Sequence, residues 1–154
     1  MPLRLLAACA AALALASPAG AVGPASFLLP GLDPELLWPA QGTITTPFVP
    51  HGHAGIDIGS LRGLSVKAAA AGVVEAVGQP AGYEGYGNVV AIRASTTMQT
   101  LYAHLESWSV KTGEKVAAGQ QIGIAGCTGY CTGTHLHFEV REAGEPVNPM
   151  RFLG

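Results

Sequence analysis

Charge is scarce in this chain. Only 12% of its 154 residues are Asp, Glu, Lys or Arg, and the formal net charge is −2. No basic cluster is present, so no nucleic acid and no anionic membrane surface is expected as a partner. The longest apolar run, residues 5–16, has about 12 residues, short of the roughly 20 that a membrane-spanning helix needs. After residue 40 no segment has the periodicity of an ordinary helix. There is no internal repeat and no sign of a second folded domain, which suits a chain of this length. Cysteine is sparse too, with three in all.

What is present begins with an export pattern. Arg4 gives a positive start, 5–16 is Leu and Ala with one Cys, and Ser17-Pro18-Ala19-Gly20-Ala21 ends in the small-residue signature of signal-peptide cleavage. Residues 1–21 are expected to be a signal peptide and the protein to be exported, periplasmic or extracellular. A buried N-terminal helix is the alternative, but nothing polar gives the run a second face. A lipid anchor at Cys9 is another, but almost no apolar stretch precedes it. Without Arg4, seven basic residues face ten acids, a net charge of −3. Residues 22–37 read as an N-terminal arm or linker. They hold Leu28, Leu29, Leu36 and Leu37 without a helical period.

From Trp38 the texture changes, and 38–154 is expected to be the folded domain. Short β-prone runs alternate with turn residues at 43–48, 66–77, 88–93, 99–104, 121–125 and 134–141. They predict an all-β fold. The Ala-rich stretch 66–72 tempts a helix assignment, but Gly63, Gly72 and the Val73-Val74 pair favour strand–turn–strand. Trp38 and Phe48 are assigned to the core.

Five histidines stand in this region: His51, His53, His104, His135 and His137. Along Thr134-His135-Leu136-His137-Phe138-Glu139-Val140 a strand puts His135, His137 and Glu139 on one face and Leu136, Phe138 and Val140 on the other. Both imidazoles can point into one pocket. His53 and Asp57 would stand roughly 13 Å apart on a flat strand, too far for one ion. Gly55 lies between them and permits the bend that lets them converge. Two imidazoles and a carboxylate leave a zinc ion one open position, the arrangement of a catalytic site. No His-Glu-x-x-His helix supplies a carboxylate base, so proton handling falls to His104 and the histidine left over from the 135/137 pair.

His53-x-x-x-Asp57, Tyr102-Ala103-His104-Leu105 and His135-Leu136-His137-Phe138-Glu139 resemble, in order and spacing, the lysostaphin-type (LytM-like) zinc endopeptidases of bacterial cell walls. The resemblance extends over about 38–153. It includes Trp38-Pro39, Gly42-Thr43-Ile44-Thr45, Gly55-Ile56-Asp57, Tyr86-Gly87-Asn88 and Pro149. It implies an antiparallel β-sheet groove with surrounding loops, related to small biotinyl/lipoyl-like β-barrels. It implies one Zn2+ per chain on His53, Asp57 and His137, with His104 and His135 orienting water and stabilising the transition state. Tyr86 and Asn88 are implied in the groove as substrate contacts. The expected activity is hydrolysis of peptide cross-links in peptidoglycan by a monomeric, wall-associated metallo-endopeptidase. A non-catalytic relative that binds wall or activates another hydrolase is the alternative.

Several residues keep open readings. His51 is expected to be a loop histidine rather than a ligand. Glu139 can orient an imidazole or pair with an arginine. Cys127-Thr128-Gly129-Tyr130-Cys131 departs from the Ser-rich loop of the family; a Cys127–Cys131 disulfide is expected there, with a second metal site or free thiols as alternatives. Residues 66–74 and 110–120 resemble the half-motifs of biotinyl and lipoyl carriers, but no lysine lies between Val74 and Val110 to carry the group.

Overall fold

The computed structural model describes residues 34–154; the expected signal peptide and all but the end of the expected arm lie outside the described residues. Ten strands and one 3-10 turn make up the fold: β1 Thr43–Thr46, β2 Ile56–Gly59, β3 Ser65–Lys67, β4 Gly72–Gly78, β5 Asn88–Arg93, β6 Met98–Trp108, β7 Lys115–Val116, β8 Gln121–Ala125, β9 Leu136–Glu142, β10 Glu145–Val147 and the turn Pro149–Arg151. The all-β expectation holds. The run at 66–77 is strand–turn–strand, β3 and β4. Two short strands, β7 and β10, carry too few residues to show a period in the sequence.

Pairing is antiparallel throughout the sheet, in the order β1-β2-β9-β6-β5-β4-β7, with β10 beside β9 and the β3–β8 pair joined through β6. Period-two alternation then sorts the side chains. Ile56, Ile58, Val90, Ile92, Tyr102, Leu136, Phe138 and Val140 fill the main core. The opposite face carries a smaller cluster of Val89, Ala91, Leu101 and Ala103, capped by Tyr83 and Tyr86. Asp57 faces His137 across β2–β9, and His137 faces Ala103 across β9–β6. One lateral row of the sheet therefore brings a carboxylate and an imidazole together over the small residue Ala103.

The packed region reaches back past Trp38. Leu36 is buried and bridges Leu153, and Leu37 N–H donates to Ala69 O at 2.9 Å. Trp38 itself is not core: it is 40% exposed, because Leu36 and Pro39 on either side take the buried positions. Phe48 packs partly buried against the main core, as expected.

Candidate metal site

Three side chains converge where the chain enters β2. His53 Nε2 lies 3.2 Å from Asp57 Oδ1. His137 Nδ1 lies 2.9 Å from the same oxygen and 3.1 Å from His53 Nε2. Ligands about 2.0–2.1 Å from zinc at tetrahedral angles stand roughly 3.3 Å apart, so this triangle has the size of one face of a zinc tetrahedron. Among the described residues it is also the group of histidine, cysteine and acidic side chains close enough to share an ion. Gly55 makes the convergence possible. It is buried, and a Cβ there would collide with the carbonyl of Phe138 in β9.

Each imidazole is held by its other nitrogen. His53 Nδ1 donates to Pro47 O at 2.9 Å, leaving Nε2 for the triangle. His137 Nε2 donates to Glu139 Oε1 at 3.0 Å, leaving Nδ1. Glu139 is fully buried and also accepts from Tyr86 Oη at 2.5 Å and Arg141 Nε at 2.7 Å. It both orients an imidazole and pairs with an arginine. Burial opposes its charge, but the bonds from His137, Tyr86 and Arg141 together hold its carboxyl below the usual range. Burial likewise opposes charge on Asp57, yet hydrogen bonds from His137 and Thr46 bring it to about 2. The same partners, Asp57 and Glu139, raise His137 to about 9 against its burial. His137 thus stands between two carboxylates, Asp57 on the triangle side and Glu139 behind it, a surrounding that favours a cation.

His104 and His135 flank the triangle. Their ring centroids are 4.7 Å apart, and His104 is 5.8 Å from His137. His135 Nε2 lies 3.7 Å from Asp57 Oδ1. His104 Nδ1 bonds Thr128 O at 2.8 Å, and His135 Nδ1 bonds Gly133 O at 2.7 Å, so both present Nε2 to the cleft. Burial, then the nearby His135 and His137, push His104 below its ordinary value. His104 reaches this position through backbone strain: φ is +60°, the left-handed region, uncommon for a residue with a side chain. The strain falls where β6 changes partner. Ala103 still pairs with His137 of β9, while Leu105 already pairs with Ala125 of β8.

The five residues line an open cleft of about 370 Å³, completed by Glu84, Gly85, Tyr86, Tyr130, Cys131 and Thr132. Residues 51–149 match the family model of peptidase family M23. The chain belongs to peptidase family M23. It is 46% identical over 98 residues to the DD-carboxypeptidase/endopeptidase Mpg of Neisseria meningitidis serogroup B, covering 64% of this chain and 22% of Mpg. It is 37% identical over 118 residues to the murein hydrolase activator NlpD of Escherichia coli, covering 75% of this chain and 30% of NlpD. The chain thus spans under a third of the length of either relative. The catalytic domain of the antimicrobial peptidase lysostaphin from Staphylococcus simulans superposes with a TM-score of 0.60 at 32% identity, over 73% of this chain and 91% of that domain.

Within this M23 domain one expected groove residue is elsewhere. Tyr86 lines the cleft, its ring 5.4 Å from that of His137. Asn88 does not line it. Its side chain donates to Leu105 O at 3.0 Å and accepts from Gln79 Nε2 at 2.9 Å, and its N–H donates to Thr128 Oγ1 at 2.9 Å. Asn88 braces the loop that holds His104, a role set by how two distant loops pack. Cys127 and Cys131 are joined by a disulfide, with Cα atoms 5.3 Å apart. Glu84, Tyr130 and Thr132 join the cleft without a signal in the sequence; loop residues of common type give no period and no ligand spacing. His51 lies outside the triangle, exposed in a loop with φ +55°.

Proposed function

We propose that the chain is a zinc-dependent endopeptidase that hydrolyses peptide cross-links of bacterial peptidoglycan. The observation that carries the reading is the pair of Nε2 atoms that His104 and His135 present to the cleft, beside a His53–Asp57–His137 triangle. His53, Asp57 and His137 would hold the zinc, which when bound supplies a Lewis acid able to lower the pKa of water to about 7. The chain's own residues do the rest. Glu139 and Pro47 O fix which nitrogen of each ligand imidazole is free. With its Nδ1 proton on Thr128 O, neutral His104 offers an Nε2 lone pair that can accept a proton in the cleft. His135, in the same orientation on Gly133 O, can share proton handling or donate to a developing oxyanion. The cleft is open along one side, which suits an extended peptide strand rather than a small enclosed ligand.

The likeness to NlpD supports a second reading, a wall protein that activates another hydrolase. Activation does not require imidazoles held in defined tautomers. The test is digestion of purified peptidoglycan by the chain alone, followed by mass spectrometry, with and without a chelator. New peptide termini at cross-links, abolished by the chelator and restored by zinc, are expected. Intact cross-links at every zinc level would leave the activator reading.

A further inference from the structure

The row of strand pairs that carries His137 continues along β9. His137, Glu139 and Arg141 share one face of that strand, opposite Ala103, Leu101 and Gln99 of β6. That face is otherwise built from Val89, Ala91, Leu101 and Ala103. Glu139 is fully buried on it. A carboxylate in such a place costs stability, and an apolar side chain of similar volume would pack there as well or better. Packing alone gives no reason for Glu139; its hydrogen bonds do. Oε1 is shared, accepting from His137 Nε2 at 3.0 Å and from Tyr86 Oη at 2.5 Å. Oε2 accepts from Arg141 Nε at 2.7 Å. The carboxylate therefore cannot turn away from His137 without losing bonds to two other side chains.

Those two side chains are linked to each other through Tyr83. Its ring centroid lies 5.7 Å from the guanidinium carbon of Arg141 and meets the Tyr86 ring edge-on, with centroids 6.1 Å and planes 89° apart. The Tyr86 ring in turn stands 5.4 Å from that of His137. A phenol has one proton to give. Tyr86 gives it to Glu139, so a substrate in the cleft cannot receive it, although Tyr86 is part of the cleft wall. Arg141 lies outside that wall. One residue that borders the cleft and one that does not thus converge on the same buried carboxylate, and the carboxylate serves an imidazole of the triangle.

We propose that Tyr86 and Arg141 are positioning residues of the metal site: together they fix Glu139 as the acceptor for His137 Nε2–H and so keep His137 Nδ1 turned to His53 and Asp57. The proposal rests on the metal-site part of the endopeptidase reading and not on which bond is cleaved. Outer partners of a ligating histidine typically carry roughly 10–100-fold of metal affinity. Tyr86→Phe and Arg141→Met should each weaken zinc binding by the full chain by about that much, read by competition with a chromogenic chelator. Arg141→Lys, which keeps the charge and loses the planar fork, should fall between Arg141→Met and wild type. Tyr86→Phe keeps the carbonyl that accepts from His104 N–H at 2.9 Å, so it removes the hydroxyl and leaves the loop tied. Should Arg141→Met fail to fold, Tyr86→Phe and Arg141→Lys carry the test. The visible absorption of the Co2+-loaded variants should shift from wild type, since it follows ligand geometry. With zinc saturating, the KM of Tyr86→Phe for a cross-linked muropeptide should stay near wild type. A raised KM with unchanged zinc affinity would overturn the assignment of Tyr86 and make it a substrate contact. Zinc affinity equal to wild type in Tyr86→Phe and in the Arg141 variants would overturn the proposal as a whole. Zinc binding that depends on Tyr86 and Arg141, in a protein that cleaves no cross-link, would keep these roles and remove the endopeptidase reading; no zinc binding by wild type would remove both.

Discussion

An imidazole binds a metal only through the nitrogen that carries no proton, so the proton on the other nitrogen must have a fixed place. Each histidine of the cleft has one: Pro47 O for His53, Glu139 for His137, Thr128 O for His104 and Gly133 O for His135. Three of these acceptors are backbone carbonyls, which cannot be lost by substitution. Glu139 can. At this scale the proposed roles separate cleanly. His137→Ala should lose zinc, measured by metal analysis after dialysis. His104→Ala and His135→Ala should keep zinc and lose roughly 10²–10⁴ in rate. Normal zinc content in His137→Ala would remove it from the ligand set; full activity in either of the others would remove that residue from proton handling.

The elements show why some of this was legible and some was not. The alternation through 134–141 needs only local sequence, and the structure does place His135, His137 and Glu139 on the cleft face. Gly55 between His53 and Asp57 signals a bend for the same local reason. The left-handed backbone at His104 carries no such signal. It arises because β6 pairs first with β9 and then with β8, a consequence of long-range register. Asn88 shows the same limit: the resemblance implies a groove position, but Thr128, forty residues on, decides what it touches. The disulfide loop is the element most exposed to test. It contains Thr128, and Cys131 leads directly to Gly133, so the carbonyls that hold His104 and His135 belong to one short hairpin. Gly129 and Gly87, both at positive φ, let this hairpin seat against 85–87; a Cβ on either would meet backbone of the other loop. Closing so short a loop restrains little unfolded-chain entropy, so stabilisation should stay below the ~3 kcal/mol that chain entropy assigns to a 15-residue loop. The Cys127→Ser, Cys131→Ser double variant should therefore melt close to wild type and bind zinc, but lose activity, since a displacement of about 1 Å can cost roughly 10²-fold. Unchanged turnover would show that the seated loop alone holds both imidazoles.

For the molecule as a whole, stability at high pH turns on tyrosine. Tyr102 is fully buried; its hydroxyl accepts from Ala69 N–H at 2.7 Å and donates to Thr100 Oγ1 at 3.1 Å. Burial pushes it up to about 12, and burial with the Glu139 bond does the same for Tyr86. An unfolded tyrosine ionises near 10. Between these values the unfolded chain sheds a proton that the folded chain keeps, so stability is present below pH 10 and lost as pH rises above it. For Tyr102 alone the loss reaches about 2 kcal/mol by pH 12. Urea unfolding from pH 8 to 11.5 should show the decline, and Tyr102→Phe, though less stable at pH 8, should show a shallower one. A flat profile in wild type would contradict a buried neutral phenol. The triangle has an asymmetry of its own. Asp57 and His137 sit in the paired strands β2 and β9, neither of them an edge strand, whereas His53 sits in a loop, its carbonyl accepting from Val49 N–H at 3.0 Å and its ring bonded to Pro47 O. The backbones of two of the three donors are fixed by strand pairing; the third stands on a loop held by fewer bonds. With zinc held as proposed, the 47–53 loop is the expected route for its exchange. Amide hydrogen exchange in the zinc-free protein should be fast across 49–53 and slow, near the global limit, at 136–138, and Pro47→Ala, by freeing the backbone there, should speed zinc release more than it lowers affinity at equilibrium.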